Sequence, residues 1–270
     1  MRRLYPPAGA ADAEPSGVPG GPAEPDLDTP VGLADFYAYP ASVAEGRPWL
    51  RANMVGSLDG AAVADGKSAP LSSPADMRIF GVLRALADVV VVGAETARRE
   101  GYRPGRARKE FAGRRAAAGQ APAPAVAVVT RSLDLDFGSP LFREPLVPTL
   151  VLTGAAAPRE RLVAARAAGA EVVVAAEADG DGTGVDPLRA VAELAARGYP
   201  RLLHEGGPRL LAQFAAAGAV DELCLTVAPL LLGGGAPRIM NGPAVPGPAR
   251  YAPRSVLEED GFLFTRYVRA

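Results

Sequence analysis

The chain has 270 residues, 49% of them hydrophobic, enough to fill the core of one large α/β domain or two small ones. Its 29 basic and 30 acidic side chains leave a net charge of −1, which excludes a nucleic-acid binder working by bulk electrostatics. One histidine and one cysteine exclude a disulfide framework and a zinc-deaminase site, and they leave catalysis to carboxylates, arginines and a bound cofactor, with no metal.

Residues 1–28 are rich in Pro, Gly and Ala with almost no aliphatic pattern, and are expected to form a disordered or loosely draped tail ahead of a single folded domain over 29–270. No apolar segment follows Met1-Arg2-Arg3, and no run approaches membrane-spanning length, so a cytoplasmic protein without membrane contact is expected. Thr29 and Pro30 begin a short helix to Tyr39. Trp49 to Val55 reads as a strand. Ser73 caps a helix in which Asp76 sits at the third position, favoured by the dipole, and Ile79, Phe80, Leu83 and Leu86 recur at helical spacing. Asp88 to Gly93 is a β-branched run, the mark of a strand buried on both faces of a parallel sheet.

The alternation continues. Residues 101–124 read as an Arg/Gly/Ala loop, Ala125–Thr130 and Thr149–Thr153 as strands, Pro158–Ala168 as a helix and Glu171–Ala175 as a strand. Gly180–Gly184 reads as a flexible turn, Asp186–Arg197 as a helix, Arg201–His204 as a strand and Pro208–Ala216 as a helix. Val220–Leu232 is a long strand interrupted at Pro229, holding Cys224 as a buried small hydrophobe. Val256–Glu258 and Phe262–Val268 flank Asp260-Gly261, a hairpin signal. This pattern predicts an α/β fold: a mainly parallel sheet flanked by helices and finished by an antiparallel C-terminal hairpin.

Ligands of such sheets bind beyond the carboxyl ends of the strands. Four marked segments fall there: Ser57-Leu58-Asp59-Gly60, Gly93 to Glu100, Thr130-Arg131-Ser132 and Glu205-Gly206-Gly207-Pro208. The glycine pair lets a ligand approach the backbone, and the helix beginning at Pro208 turns its free amides toward that spot, a seat for pyrophosphate. Gly93 and Thr96 offer a second set of amides and a hydroxyl. Thr130-Arg131-Ser132 places a guanidinium where an NAD site places a carboxylate, which favours the 2′-phosphate of NADPH. Asp59 and Glu205 remain as carboxylates facing the substrate, either of them the candidate general acid; an Asp-Gly turn is the plain alternative for Asp59.

Four blocks in this order resemble a known family: Asn53-Met54-Val55-Gly56-Ser57-Leu58-Asp59-Gly60, Asp88 to Thr96, Glu205-Gly206-Gly207-Pro208, and Asp221 to Pro229 leading to Gly233-Gly234-Gly235. The chain resembles the reductase domain of the bacterial riboflavin-biosynthesis protein RibD (the pyrimidine reductase family), and in particular its stand-alone actinobacterial members. The resemblance runs from Trp49 to the C-terminus. It implies a dihydrofolate-reductase-like fold and reduction of a ribosylaminopyrimidine 5′-phosphate, of the 5-amino-6-(5-phosphoribosylamino)uracil type, by NADPH. Carried over by motif, Thr96, Glu100, Ser132 and Gly207 to Leu210, with Pro208 and Arg209 between them, would touch the cofactor, as would Gly206. Ser68, Arg84 and Glu205 would lie toward the substrate, with Asn53 and Ser57 of the first block. The zinc-deaminase half of bifunctional members is absent from this sequence, and Pro70-Leu71 stands where they carry an aromatic residue. The alternatives are a dihydrofolate or other pterin reductase, and a non-catalytic nucleotide-binding regulator. A homodimer is expected, with the apolar 220–232 strand as one candidate interface.

Overall fold

The β-branched run after Asp88 forms the strand it predicts, and Val89 to Val92 are each at most 1% exposed. The computed structural model describes residues 1–6, 25–176, 182 and 184–270. In chain order the elements are β1 (Arg2–Tyr5), α1 (Pro30–Phe36), β2 (Trp49–Ser57), α2 (Pro74–Leu86), β3 (Val89–Gly93), α3 (Ala94–Arg99), α4 (Ala112–Ala117) and β4 (Ala125–Val129). Then follow α5 (Pro140–Arg143), β5 (Leu150–Thr153), α6 (Arg159–Ala167), β6 (Glu171–Val174), α7 (Pro187–Ala196), β7 (Arg201–His204), α8 (Pro208–Ala216), β8 (Glu222–Ala228), β9 (Tyr251–Glu259) and β10 (Phe262–Arg269).

All ten strands share one sheet in the order β1-β9-β10-β8-β2-β7-β3-β4-β5-β6. The stretch from β8 to β6 is parallel, and the three pairs beyond β8 are antiparallel, as the C-terminal hairpin signal requires. Helices cover both faces. Leu83 and Ile79 of α2 pack with Val90 and Leu203 on one side, while Leu211 and Phe214 of α8 pack with Val89, Val91 and Leu202 on the other. Alternate residues of one strand therefore serve opposite layers. Because β7 inserts between β2 and β3, the segments that follow these three strands emerge side by side.

Local chemistry sets the helix starts. The Thr29 hydroxyl accepts from Gly32 N at 3.1 Å and Ser73 Oγ from Asp76 N at 3.1 Å, each followed by proline at the first helical position. Asp186 does the same for Leu188 N and Arg189 N.

Three expectations are corrected. The tail does not hold as loose chain at Arg2–Tyr5, which pair antiparallel with β9, while the Met1 ammonium pairs with Glu259 at 3.3 Å; edge pairing satisfies backbone groups that composition alone cannot assign. Residues 7–24 of that tail, and most of the Gly180–Gly184 turn, lie outside the described residues. The 101–124 loop contains α4, because buried Arg115 donates to the carbonyls of Ala85, Ala87 and Ala121 and ties this segment to the end of α2. The 220–232 strand is shorter, ending at Ala228 before Pro229, and it is not wholly apolar. Its buried positions alternate as Glu222, Cys224, Thr226 and Ala228. Glu222, fully buried, accepts from Arg51 Nε at 2.8 Å, Arg266 Nε at 2.6 Å and Trp49 Nε1 at 2.8 Å. Burial works against its charge, but the two guanidiniums hold its carboxyl down at about 2. The Cys224 thiol is pushed up to about 12 by burial and by Glu222, so it is an inert core group.

Candidate functional site

Two cavities open at the carboxyl ends of the parallel strands. The larger, about 1370 Å³, runs across Gly93, Val129 to Ser132 and the start of α8 at Gly207 to Leu210, with Pro237, Asn241 and Pro243 on its far wall. Gly207 is the N-cap of α8 and supplies no side-chain cap. The first-turn amides of Arg209 and Leu210 are therefore left to the cavity, since Pro208 has no N–H. The peptide between Gly206 and Gly207 is cis, and Gly206 has φ +90°, a conformation other residues rarely adopt. Gly206 O accepts from Gly93 N at 2.9 Å, which holds the turn against β3. A Cβ on Gly207 would run into the Thr96 hydroxyl, which would have to turn away to admit it. Arg131 and Arg209 add positive charge to the rim, as does Arg99.

The smaller cavity, about 620 Å³, lies between α2 and the segment after α3. At its wall Glu205 accepts two hydrogen bonds from Arg84, Nε at 2.7 Å and Nη2 at 2.6 Å, and a third from the Tyr102 hydroxyl at 2.6 Å. Its side chain is 2% exposed. Burial and the Glu205 charge push the Tyr102 hydroxyl well above its usual pKa. Arg84 is further held by the faces of Phe80 and Tyr102, at 4.4 and 5.1 Å. Asp76, Phe80 and Arg84 follow one another at intervals of four on α2, so one helix stripe lines this cavity. Arg103, Arg106 and Arg108 line it too. Thr96 borders both cavities, and the two meet there.

This architecture has known counterparts. The model of the RibD C-terminal domain matches residues 48–256. The chain belongs to the RibD C-terminal domain family. It is 32% identical over 191 residues to the 2,5-diamino-6-ribosylamino-4(3H)-pyrimidinone 5′-phosphate reductase of Methanothermobacter thermautotrophicus, an alignment covering 70% of this chain and 81% of the relative. The Aquifex aeolicus protein of the same name is 32% identical over 152 residues, covering 56% of this chain and 61% of the relative's length. A pyrimidine reductase-like protein of Corynebacterium diphtheriae superposes with a TM-score of 0.75 at 27% identity, over 88% of this chain and 98% of its own. Membership in the RibD C-terminal domain family places the chain among oxidoreductases.

The expected residues divide between the two cavities, with Glu100, Ser57 and Asp59 as exceptions. Gly93, Thr96, Thr130, Arg131, Ser132, Gly207, Pro208, Arg209 and Leu210 gather around the larger cavity, with Gly206 directly behind. Asn53, Ser68, Arg84 and Glu205 gather around the smaller one. Glu100 departs from expectation: it lines the smaller cavity and accepts from Ser68 N at 3.2 Å and Ser68 Oγ at 3.3 Å. Ser57 and Asp59 line neither cavity. Ser57 is buried and donates to Asp59, while its oxygen accepts from Ala61 N at 2.9 Å. Asp59 is exposed and accepts from Gly233 N at 2.6 Å and Leu232 N at 3.2 Å. The Ser57 hydroxyl and these amides hold its carboxyl down at about 2, the setting of a loop anchor rather than a proton donor. His204 is wholly buried against Phe214, and its Nδ1 accepts from Gly206 N at 3.1 Å. Burial drives its pKa down to about 3, so it is neutral and carries its proton on Nε2.

Sequence reasoning missed Tyr102, Phe80, Asp76 and the arginines of 103–108. The spacing of four between Asp76, Phe80 and Arg84 was a usable signal. Tyr102 had none, because its partner Glu205 lies far along the chain.

Proposed function

We propose that the chain is an NADPH-dependent reductase of a ribosylaminopyrimidine 5′-phosphate, acting in riboflavin biosynthesis. The observation that carries this reading is the pair of cavities meeting at Thr96, one of about 1370 Å³ beside the Gly207 turn and one of about 620 Å³ lined by several arginines. Transfer between two bound molecules requires such a meeting point.

The residues present fit the cofactor. The Gly207 cradle and the open first-turn amides of α8 suit a pyrophosphate, and Arg131 with Thr130 and Ser132 suits a 2′-phosphate. When bound, NADPH supplies a hydride for the open-chain C1′ imine of the ribosylamine, with one proton taken up at nitrogen. Arg84 and the arginines of the 103–108 segment supply the charge that a phosphate monoester needs in the smaller cavity. Glu205 accepts from all three of its partners, so it presents no O–H to a ligand. It acts by fixing Arg84 and Tyr102 on the cavity wall.

The homodimer reading is supported by exposed leucines on one surface. Leu58, at 60% exposure, and Leu231, at 75%, flank Leu230, whose carbonyl accepts from Leu58 N at 2.9 Å. No helix among the described residues is long and apolar enough to cross a membrane.

The test is NADPH oxidation followed with the ribosylaminopyrimidine phosphate and, in parallel, with dihydrofolate. Turnover of the pyrimidine at higher kcat/KM supports the reading. Turnover of dihydrofolate alone replaces it with a pterin reductase, and turnover of neither refutes it.

A further inference from the structure

The chain leaving β4 carries Arg131 and Ser132 along the larger cavity, and one side chain from α6 reaches over to hold it. Arg161 donates from Nε and Nη2 to Leu133 O, at 3.0 and 2.7 Å, and from Nη2 to Leu135 O at 2.8 Å. Its guanidinium lies over the Phe137 ring at 5.0 Å, and Phe137 in turn meets Phe142 edge to face. Charge-assisted bonds to two carbonyls and a ring face leave this group little freedom, so it is a fixed clamp and not a swinging surface charge.

The clamped backbone would not keep this shape unaided. Leu133 has φ +51°, the left-handed region that a residue with a Cβ rarely enters. Such a conformation persists only where its surroundings over-determine it, and three further contacts do so here. The Leu133 side chain is wholly buried in the core that holds Val128 and Phe142, its N–H donates to Thr130 Oγ1 at 3.1 Å, and its carbonyl also accepts from Leu135 N at 2.8 Å. With Leu133 turned inward, Arg131 and Ser132 are left exposed on the cavity rim. Arg161 does not line that cavity itself, so whatever it does for a ligand it does through the turn.

We infer that Arg161 is a positioning residue for cofactor choice: it locks the 130–135 turn in the shape that presents Arg131 and Ser132 to the 2′-phosphate of NADPH. This rests on the cofactor reading proposed above. An exposed arginine attracts a phosphate at long range wherever its stem swings, but a hydrogen-bonded grip needs the backbone beneath it fixed. A turn released from Arg161 keeps its charge on the rim and must be ordered again each time the 2′-phosphate binds, which weakens affinity. NADH has no 2′-phosphate and makes no use of this grip, so its binding does not depend on Arg161.

The experiment titrates NADPH and NADH, followed by nicotinamide fluorescence, onto wild type, Arg161→Met, Arg131→Ala and the double variant. Arg161→Met keeps the apolar stem and removes every donor. It is expected to bind NADPH about 10-fold more weakly, the scale of one hydrogen bond to a charged group, with NADH binding within about threefold of wild type. In turnover the loss should fall on KM for NADPH and not on kcat at saturating cofactor. In the Arg131→Ala background, Arg161→Met should cost NADPH less than about threefold further, because a residue acting through Arg131 then has little left to position. If Arg161→Met does not fold, Arg161→Lys serves instead. It keeps one charged donor but cannot bridge both carbonyls, and should show the same selective loss at smaller size. Equal weakening of NADPH and NADH marks a general structural role and overturns the inference, as do unchanged NADPH affinity and full additivity with Arg131→Ala. A wild type that binds NADH as tightly as NADPH overturns the cofactor reading itself.

Discussion

Thr96 and Gly207 touch where the two cavities meet: the Thr96 hydroxyl occupies the space that a Cβ on Gly207 would fill. The contact joins α3 to the start of α8, where the two cavities meet. Gly207→Val should abolish measurable cofactor binding, seen as loss of thermal stabilisation by NADPH, with a strain of about 1–3 kcal/mol on the free protein. Gly207→Ala combined with Thr96→Ala makes room for the added methyl, the Thr96 Cβ being 3.8 Å away. The pair should recover part of the binding that Gly207→Ala alone loses. Wild-type affinity in Gly207→Val would remove the pyrophosphate seat from this turn.

Glu205→Gln separates binding of the two ligands. The amide cannot accept from both Arg84 nitrogens and the Tyr102 hydroxyl together, so one buried donor is left over. Stability should fall by about 1.5–3 kcal/mol, and KM for the pyrimidine should rise or kcat fall while NADPH affinity stays near wild type. Normal turnover with normal KM would reduce Glu205 to a structural role.

Arg131→Ala addresses cofactor choice. If this guanidinium meets the 2′-phosphate, NADPH binding should weaken by about 1.5–3 kcal/mol and NADH binding hardly at all. Equal losses in the two titrations would shift the role to another cation on the same rim, Arg99 or Arg209.

The single histidine gives a clean pH signature. The folded-state pKa of His204 is about 3, below the unfolded value of 6.5, so between these limits the unfolded chain binds a proton that the folded chain does not. Stability is therefore fully present above pH 6.5 and falls as the pH drops below it, by about 1.4 kcal/mol per unit. From about pH 6.5 to about pH 5 the loss should be about 2 kcal/mol, read from denaturant midpoints. In His204→Asn, which keeps an acceptor for Gly206 N without titrating, that slope should vanish over the same window. A persistent slope would assign it to other groups.

Leu231→Glu tests assembly. A charge in the exposed leucine patch should convert a dimer to a monomer in sedimentation, while the ligand cavities, lined by other residues, stay intact. An unchanged mass would move the interface elsewhere.

Much of this protein was legible from local chemistry alone. The Thr29 and Ser73 caps, the valine run from Val89, the glycine turn before Pro208 and the Asp260-Gly261 hairpin are all written in neighbouring residues, because caps, strand burial and turns depend on contacts a few positions apart. The lining of the larger cavity was legible for the same reason: Gly93 and Gly207 shape it through their own backbone, and Arg131 lies just beyond the strand β4. The smaller cavity was decided by tertiary structure. Glu205 looked like a free acid until β7, inserted beside β3, brought it against Arg84 of α2 and Tyr102. Asp59 looked like a substrate carboxylate until the chain after β8 returned to give it the amides of Leu232 and Gly233. Asp76 read as a helix-start residue until Thr226, from a strand far along the chain, gave its carboxylate a hydroxyl donor beside the smaller cavity. A carboxylate's role depends on which donors surround it, and in this sheet those donors come from segments that only the strand order brings together.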